Sequence, residues 1–190
     1  MSTHQDEAVH EHNRRLDEQA MAALENPQDA VPALPRGTPW LRIWEYRSLG
    51  QYRSWLLWKD ASKLTSGFLV RRVTWERRSE VERPMQPGGV IRGMPVRELR
   101  LKTADATVAS ARWWELEAEG RELPLPGLSF GSLGIAMDGV RFGVEQRASF
   151  HSLRLEWWSR PPADWRPVVK WFDRVHALFE DCLPHSEREP

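Results

Sequence analysis

Cys182 is the single cysteine in a chain of 190 residues, which excludes an internal disulfide framework and fits a reducing compartment. Lysine is almost as scarce. Lys59, Lys63, Lys102 and Lys170 are the only ones, and every other basic side chain is arginine. Charge of one sign is missing too: 27 basic residues balance 27 acidic ones, which argues against a general polyanion binder or a polybasic membrane-surface protein. No apolar run reaches the roughly 18 residues of a membrane span, and MSTHQDEAVHEHNRR at the start has no apolar core of the secretory kind. A cytoplasmic protein with no membrane partner is the expectation. Catalytic signatures are lacking as well, since no G-x-S-x-G, H-E-x-x-H or C-x-x-C occurs. Gly88-Gly89 has neither a following G-K-[ST] nor the spacing of a dinucleotide fingerprint, so it reads as a connector.

Residues 1–36 are polar and end among Pro27, Pro32 and Pro35, which reads as a flexible tail. Val9, Leu16, Ala20 and Leu24 recur at helical spacing but form a thin stripe. His10 and His12 flank Glu11, yet an i,i+2 pair does not suit a helical metal site and no third ligand lies nearby. No metal is expected.

From Trp40 the pattern turns to strands. WLRIWEYR, YRSWLLWK and FLVRRVTWERRSEV are rich in aromatic and branched residues and are separated by short breakers, the pattern of an antiparallel meander. Leu41 and Ile43 alternate with Arg42 and Trp44, and Val73 and Trp75 with Arg72 and Thr74. Residues 84–95, PMQPGGVIRGMP, form a loop. Thr103 as N-cap with Asp105 in the first turn predicts a short helix over 104–113, against a competing strand through 113–117. Asp138-Gly139 predicts a type I′ hairpin. Val140, Phe142 and Val144 then share one face against Arg141 and Glu145. Leu153, Leu155 and Trp157 repeat the alternation against Arg154 and Glu156.

The C-terminal helix has the strongest pattern. Asp164 is its expected N-cap, Pro167 suits the first turn, and Val168, Trp171, Phe172, Val175, Leu178, Phe179 and Cys182 recur at three- and four-residue steps until Pro184. The fold expected is one α+β domain over 37–184, an antiparallel sheet meander covered by this amphipathic helix, with one short additional helix. Residues 185–190 read as a disordered C-terminus.

The layout resembles an uncharacterised family of bacterial proteins. The matching residues are Trp44 with Arg47-Ser48, Gly88-Gly89, Trp113-Trp114, Gly134 with Asp138-Gly139, Trp157-Trp158 and Trp165. They span roughly residues 40–183, although the loop after Gly89 lacks that pattern's aromatic. The resemblance implies a single α+β domain and carries over no catalytic residue.

For chemistry the inventory is thin. Cys182 lies on the apolar helix face and reads as a core residue rather than a nucleophile. His151 with Asp138 or Glu145 is the one acid–base combination, which would suit a small hydrolase, and a packed or edge histidine is the plainer reading. His176, next to Val175, reads as a boundary residue. No catalytic residue and no cofactor are predicted. What the chain has in excess is tryptophan, eleven residues, interleaved with arginine. Exposed aromatics beside arginine serve protein interfaces and single-stranded nucleic-acid platforms alike. The candidate binding residues are Trp44, Arg71, Arg72, Arg77, Trp113 and Trp158. The function expected is a non-enzymatic protein-interaction or regulatory module. The alternative is a single-stranded nucleic-acid binder stacking bases on tryptophan, which the neutral net charge disfavours.

Overall fold

The computed structural model describes residues 3–26, 39–48, 50–60, 67–76, 99–124, 139–147 and 152–184. Six strands form one sheet: β1 (Leu41–Arg47), β2 (Gln51–Asp60), β3 (Gly67–Glu76), β4 (Leu101–Val108), β5 (Val140–Arg147) and β6 (Ser152–Trp158). Their order is β4-β3-β2-β1-β5-β6, and every neighbouring pair is antiparallel. Three helices, α1 (Thr3–Glu25), α2 (Ser110–Arg121) and α3 (Arg166–Cys182), complete an α+β architecture. None of the described helices is long and apolar enough to cross a membrane.

One face of the sheet follows the sequence reading. Val168, Trp171, Phe172, Val175, Leu178 and Phe179 of α3 are buried against Leu41, Ile43, Trp55, Leu57, Phe68, Val70 and Val144 of the sheet. The indole Nε1–H of Trp171 donates to the Leu116 carbonyl at 2.7 Å, which ties α3 to α2. Pro167 sits in the first turn as expected, but Asp164 is not the cap. Residues Ala163–Trp165 form a 3-10 turn, and the helix starts behind Trp165 with no side-chain cap.

The other face departs from expectation. Residues 3–25 are a helix, and Ala20, Ala23 and Leu24 are buried. Ala20 and Leu24 join a second core with Trp44, Tyr46, Leu56, Trp58, Val73 and Trp75. A stripe of small residues suffices here because the sheet's indoles supply the bulk. Pairs from Arg14 to Glu11 and Glu18, and from Arg15 to Glu11, support α1 at i,i+3 and i,i+4 spacing. The expected end of the tail, 27–36, and the C-terminus 185–190 lie outside the described residues.

Two further expectations are corrected. Residues 104–108 belong to β4 rather than to a helix, and 113–117 belong to α2. Thr103 and Asp105 pair with Val73 and Arg71 across the sheet, and this non-local ladder overrides the helical propensity of the alanines. The hairpin on Asp138-Gly139 is not supported. Asp138 and the preceding residues lie outside the described set, but β5 is paired along its length on both sides, to β1 and to β6. Gly139 does not have the positive φ that a type I′ turn requires.

Candidate functional site

Seven of the eleven tryptophans are buried, and among the described residues the exposed large hydrophobic side chains are Trp40, Leu153 and Trp158. That sorts the sequence candidates. Trp44 is 0 % exposed and Trp113 3 %, so neither can receive a partner's ring. Arg71 and Arg72 are buried as well. Arg71 makes a bidentate pair with Asp105 at 2.5 Å, and Arg72 reaches Glu180 at 2.7 Å. Both are held by carboxylates from other elements, Asp105 of β4 and Glu180 of α3, which the pattern along β3 does not reveal. Arg77 lies outside the described residues. Trp158 remains, 45 % exposed, at the end of β6.

Around Trp158 the sheet face beside α1 carries charge as well as rings. Cross-strand register sets Arg141 beside Trp158, Gly143 beside Glu156 and Glu145 beside Arg154 on that face. Trp44 is flanked by two guanidiniums, with Arg42 Cζ 4.4 Å and Arg154 Cζ 5.0 Å from its ring, a cation–π arrangement. The indole of Trp44 passes over the sheet so closely that a Cβ on Gly143 would stand 2.0 Å from its Cζ2. Arg141 sits 5.2 Å over Tyr46, and Tyr46 stacks on Tyr52 at 4.8 Å.

Carboxylates match these cations closely. Arg42 pairs with Glu145 at 3.3 Å and with Glu25 of α1 at 3.5 Å. Glu145 also accepts from Arg147 at 2.8 Å. Glu156 lies 3.4 Å from Arg141 and 3.3 Å from Arg154. Burial pushes the Glu145 carboxyl up, but the guanidiniums of Arg147, Arg42 and Arg154 outweigh it and hold the group below its ordinary range. The face is a mixed, internally paired lattice.

β6 closes one side of the sheet. Its register with β5 runs unbroken from Ser152 to Trp158, and no described strand lies beyond it. Leu153 is 40 % exposed. Beneath it, on the α3 side, Leu41, Val144, Leu155, Val168 and Trp171 line an apolar cavity of about 80 Å³.

Other chemistry is sparse. Among the described residues no three histidine, cysteine, aspartate or glutamate side chains gather as a metal site. Cys182 is half-buried beside the main core. His176 packs edge-on to Trp55 and parallel to Phe172. His151 and Asp138 lie outside the described residues, while Glu145 is committed to its arginines.

Leu153, Arg154 and Glu156 were not singled out by the sequence. The available signal was the composition of SLRLEWW, which has no proline or lysine and carries a single cation and a single anion. No protein-family model matches the chain, and neither a curated protein nor a solved structure matches it.

Proposed function

We propose that this protein is a non-catalytic protein-binding module whose contact surface is the β6 edge, centred on Trp158 and Leu153. The observation that carries the reading is the regular edge strand, beyond which no described strand lies, with its two large apolar side chains in solvent. Such an edge offers unpaired backbone groups and a fixed row of side chains to an incoming strand. The paired arginines support a protein partner over a nucleic acid, because a phosphate backbone would have to compete with carboxylates already in place.

The test is capture from nuclease-treated native lysate on the immobilised full-length protein, beside a Trp158→Lys variant. A discrete protein held by the first and lost from the second, and bound again after purification, is the expected result. Retention that disappears with nuclease, together with salt-sensitive quenching of tryptophan fluorescence by a short single-stranded oligonucleotide, would overturn the reading in favour of nucleic acid.

A further inference from the structure

β6 has seven residues, Ser-Leu-Arg-Leu-Glu-Trp-Trp, and Leu155 is its midpoint. If a second β6 pairs antiparallel with the first about that midpoint, each residue i meets residue 310 − i of the other strand. Leu155 then faces its own copy, and Arg154 faces Glu156 twice. Leu153 faces Trp157, and the small Ser152 faces the large Trp158. Sheet faces agree throughout. Leu153, Leu155 and Trp157 share the α3 side, and Ser152, Arg154, Glu156 and Trp158 the α1 side, as the β5 register fixes.

From this self-complementarity we infer that β6 pairs with β6 of a second copy of this chain, joining two six-stranded sheets across a two-fold axis at Leu155. The inference rests on the β6 edge being a protein-binding surface, and it names the occupant.

Four features carry it. First, opposite charges meet on both sides of the axis, which is what an isologous contact needs and what a parallel or shifted pairing would lose. Second, Arg154 and Glu156 are accessible, with side chains 48 % and 33 % exposed, and their mutual contact at 3.3 Å would be replaced in kind across the axis, each guanidinium keeping a carboxylate. Third, the volumes match, since Trp158, 45 % exposed, comes to lie beside a serine. Fourth, the opposite border of the described sheet lacks this symmetry: about the midpoint of β4 Lys102 would face Thr107 and Asp105 would face Ala104, so neither charge would meet its opposite.

Sedimentation velocity of the full chain over a concentration series reads the mass. The expected species is two chains, reduced to one by either Arg154→Glu or Glu156→Arg, because each substitution opposes like charges at both positions. Mixing the two single variants, or combining both changes in one chain, restores the two-chain species. Thermal midpoints of all variants, matched to the parent, separate lost pairing from lost folding, which matters because Arg154 also lies against Trp44.

A second measurement does not depend on charge. Directly opposed residues stand about 4.5–5.5 Å apart between Cα atoms, inside the range a disulfide spans. Leu155→Cys should therefore oxidise to a covalent dimer, whereas Leu153→Cys, about 13 Å from its own copy, should not. Equal cross-linking at both positions, or a dimer that neither charge reversal changes, overturns the inference. A chain that is single at every concentration but still captures a nuclease-resistant partner overturns self-pairing and leaves the protein-binding reading standing. One that is single and captures nothing overturns both.

Discussion

The two faces of the sheet solve the same problem with different materials. Toward α3 the sheet presents Leu41, Ile43, Leu57, Phe68, Val70 and Val144, and α3 answers with large aromatic and aliphatic side chains. Toward α1 the sheet itself holds the bulk, in Trp44, Tyr46, Trp58 and Trp75, and the helix contributes mainly Ala20 and Leu24. Buried arginine is placed on both sides but serves differently. Arg72 ties β3 to α3 through Glu180, while Arg42 spreads over Trp44 and binds Glu145 and Glu25. The difference teaches that a helix covering an indole-rich face needs little hydrophobicity of its own.

The largest effect should come from the α3 side. Trp171→Ala removes a buried ring and its hydrogen bond to Leu116, and is expected to cost about 3–5 kcal/mol. Leu178→Ala, on the same stripe, should fall in the range of about 2–5 kcal/mol. Chemical denaturation midpoints read both, and a Trp171→Ala shift no larger than that of an exposed control would refute the assigned register.

On the α1 side Leu24, 0 % exposed, sharpens the contrast. If α1 is a structural layer, Leu24→Ala should destabilise by about 2–5 kcal/mol, and deletion of residues 1–26 should uncover Leu56, Trp58 and Trp75 and raise binding of a hydrophobic dye. A truncated chain as stable as the parent would return residues 1–26 to the status of a tail.

Gly143 tests the same face from below. A methyl at this position meets the Trp44 ring at 2.0 Å, and overpacking of this kind costs about 1–3 kcal/mol. Gly143→Ala should therefore lower the unfolding midpoint, and pairing it with Trp44→Phe, which shrinks the ring, should recover part of the loss.

How much of this was legible depended on where each residue's partners sit. The stripe of α3 lies within one helix, so its period alone placed Trp171, Val175 and Phe179 inside. Strand alternation also assigned the faces of β1, β5 and β6 correctly. It failed for the arginines because the groups that neutralise them are far away along the chain: Glu145 is 103 residues from Arg42, and Glu180 is 108 from Arg72. A row of charge that looks solvent-facing in a strand can be buried when a second layer brings carboxylates. Likewise β4 looked helical because Thr103 and Asp105 mimic a cap, and only Arg71, 34 residues away from Asp105, shows what the carboxylate is for. Of the binding candidates, Trp158 alone is described and exposed. Its surroundings were hidden because an edge strand is defined by what fails to pair with it.

The smallest effect concerns pH and the α3 face. Burial holds the His176 imidazole below its ordinary value, and neighbouring Glu180 opposes this only in part. Burial also raises the Glu180 carboxyl, but the hydrogen bonds from Trp55 at 2.6 Å and from Arg72, with the charges of Arg72 and His176, bring it below the ordinary carboxylate range. Both groups therefore bind protons more readily in the unfolded chain, so stability rises with pH wherever they titrate. For His176 the contribution is complete above the unfolded value of about 6.5 and declines as pH falls below it toward the depressed folded value. For Glu180 it is complete above about 4.3 and is lost as pH falls through its folded value. Unfolding midpoints measured from pH 8 to pH 3 should accordingly descend in two stages. His176→Phe preserves an aromatic ring against Trp55 and Phe172 and should abolish the upper stage while sparing the lower one. Glu180→Gln should spare the upper stage and shrink the lower one, to which Glu145 also contributes, and a His176→Phe profile that superimposes on the parent's between pH 7 and pH 5 would show that the histidine is not the group titrating there.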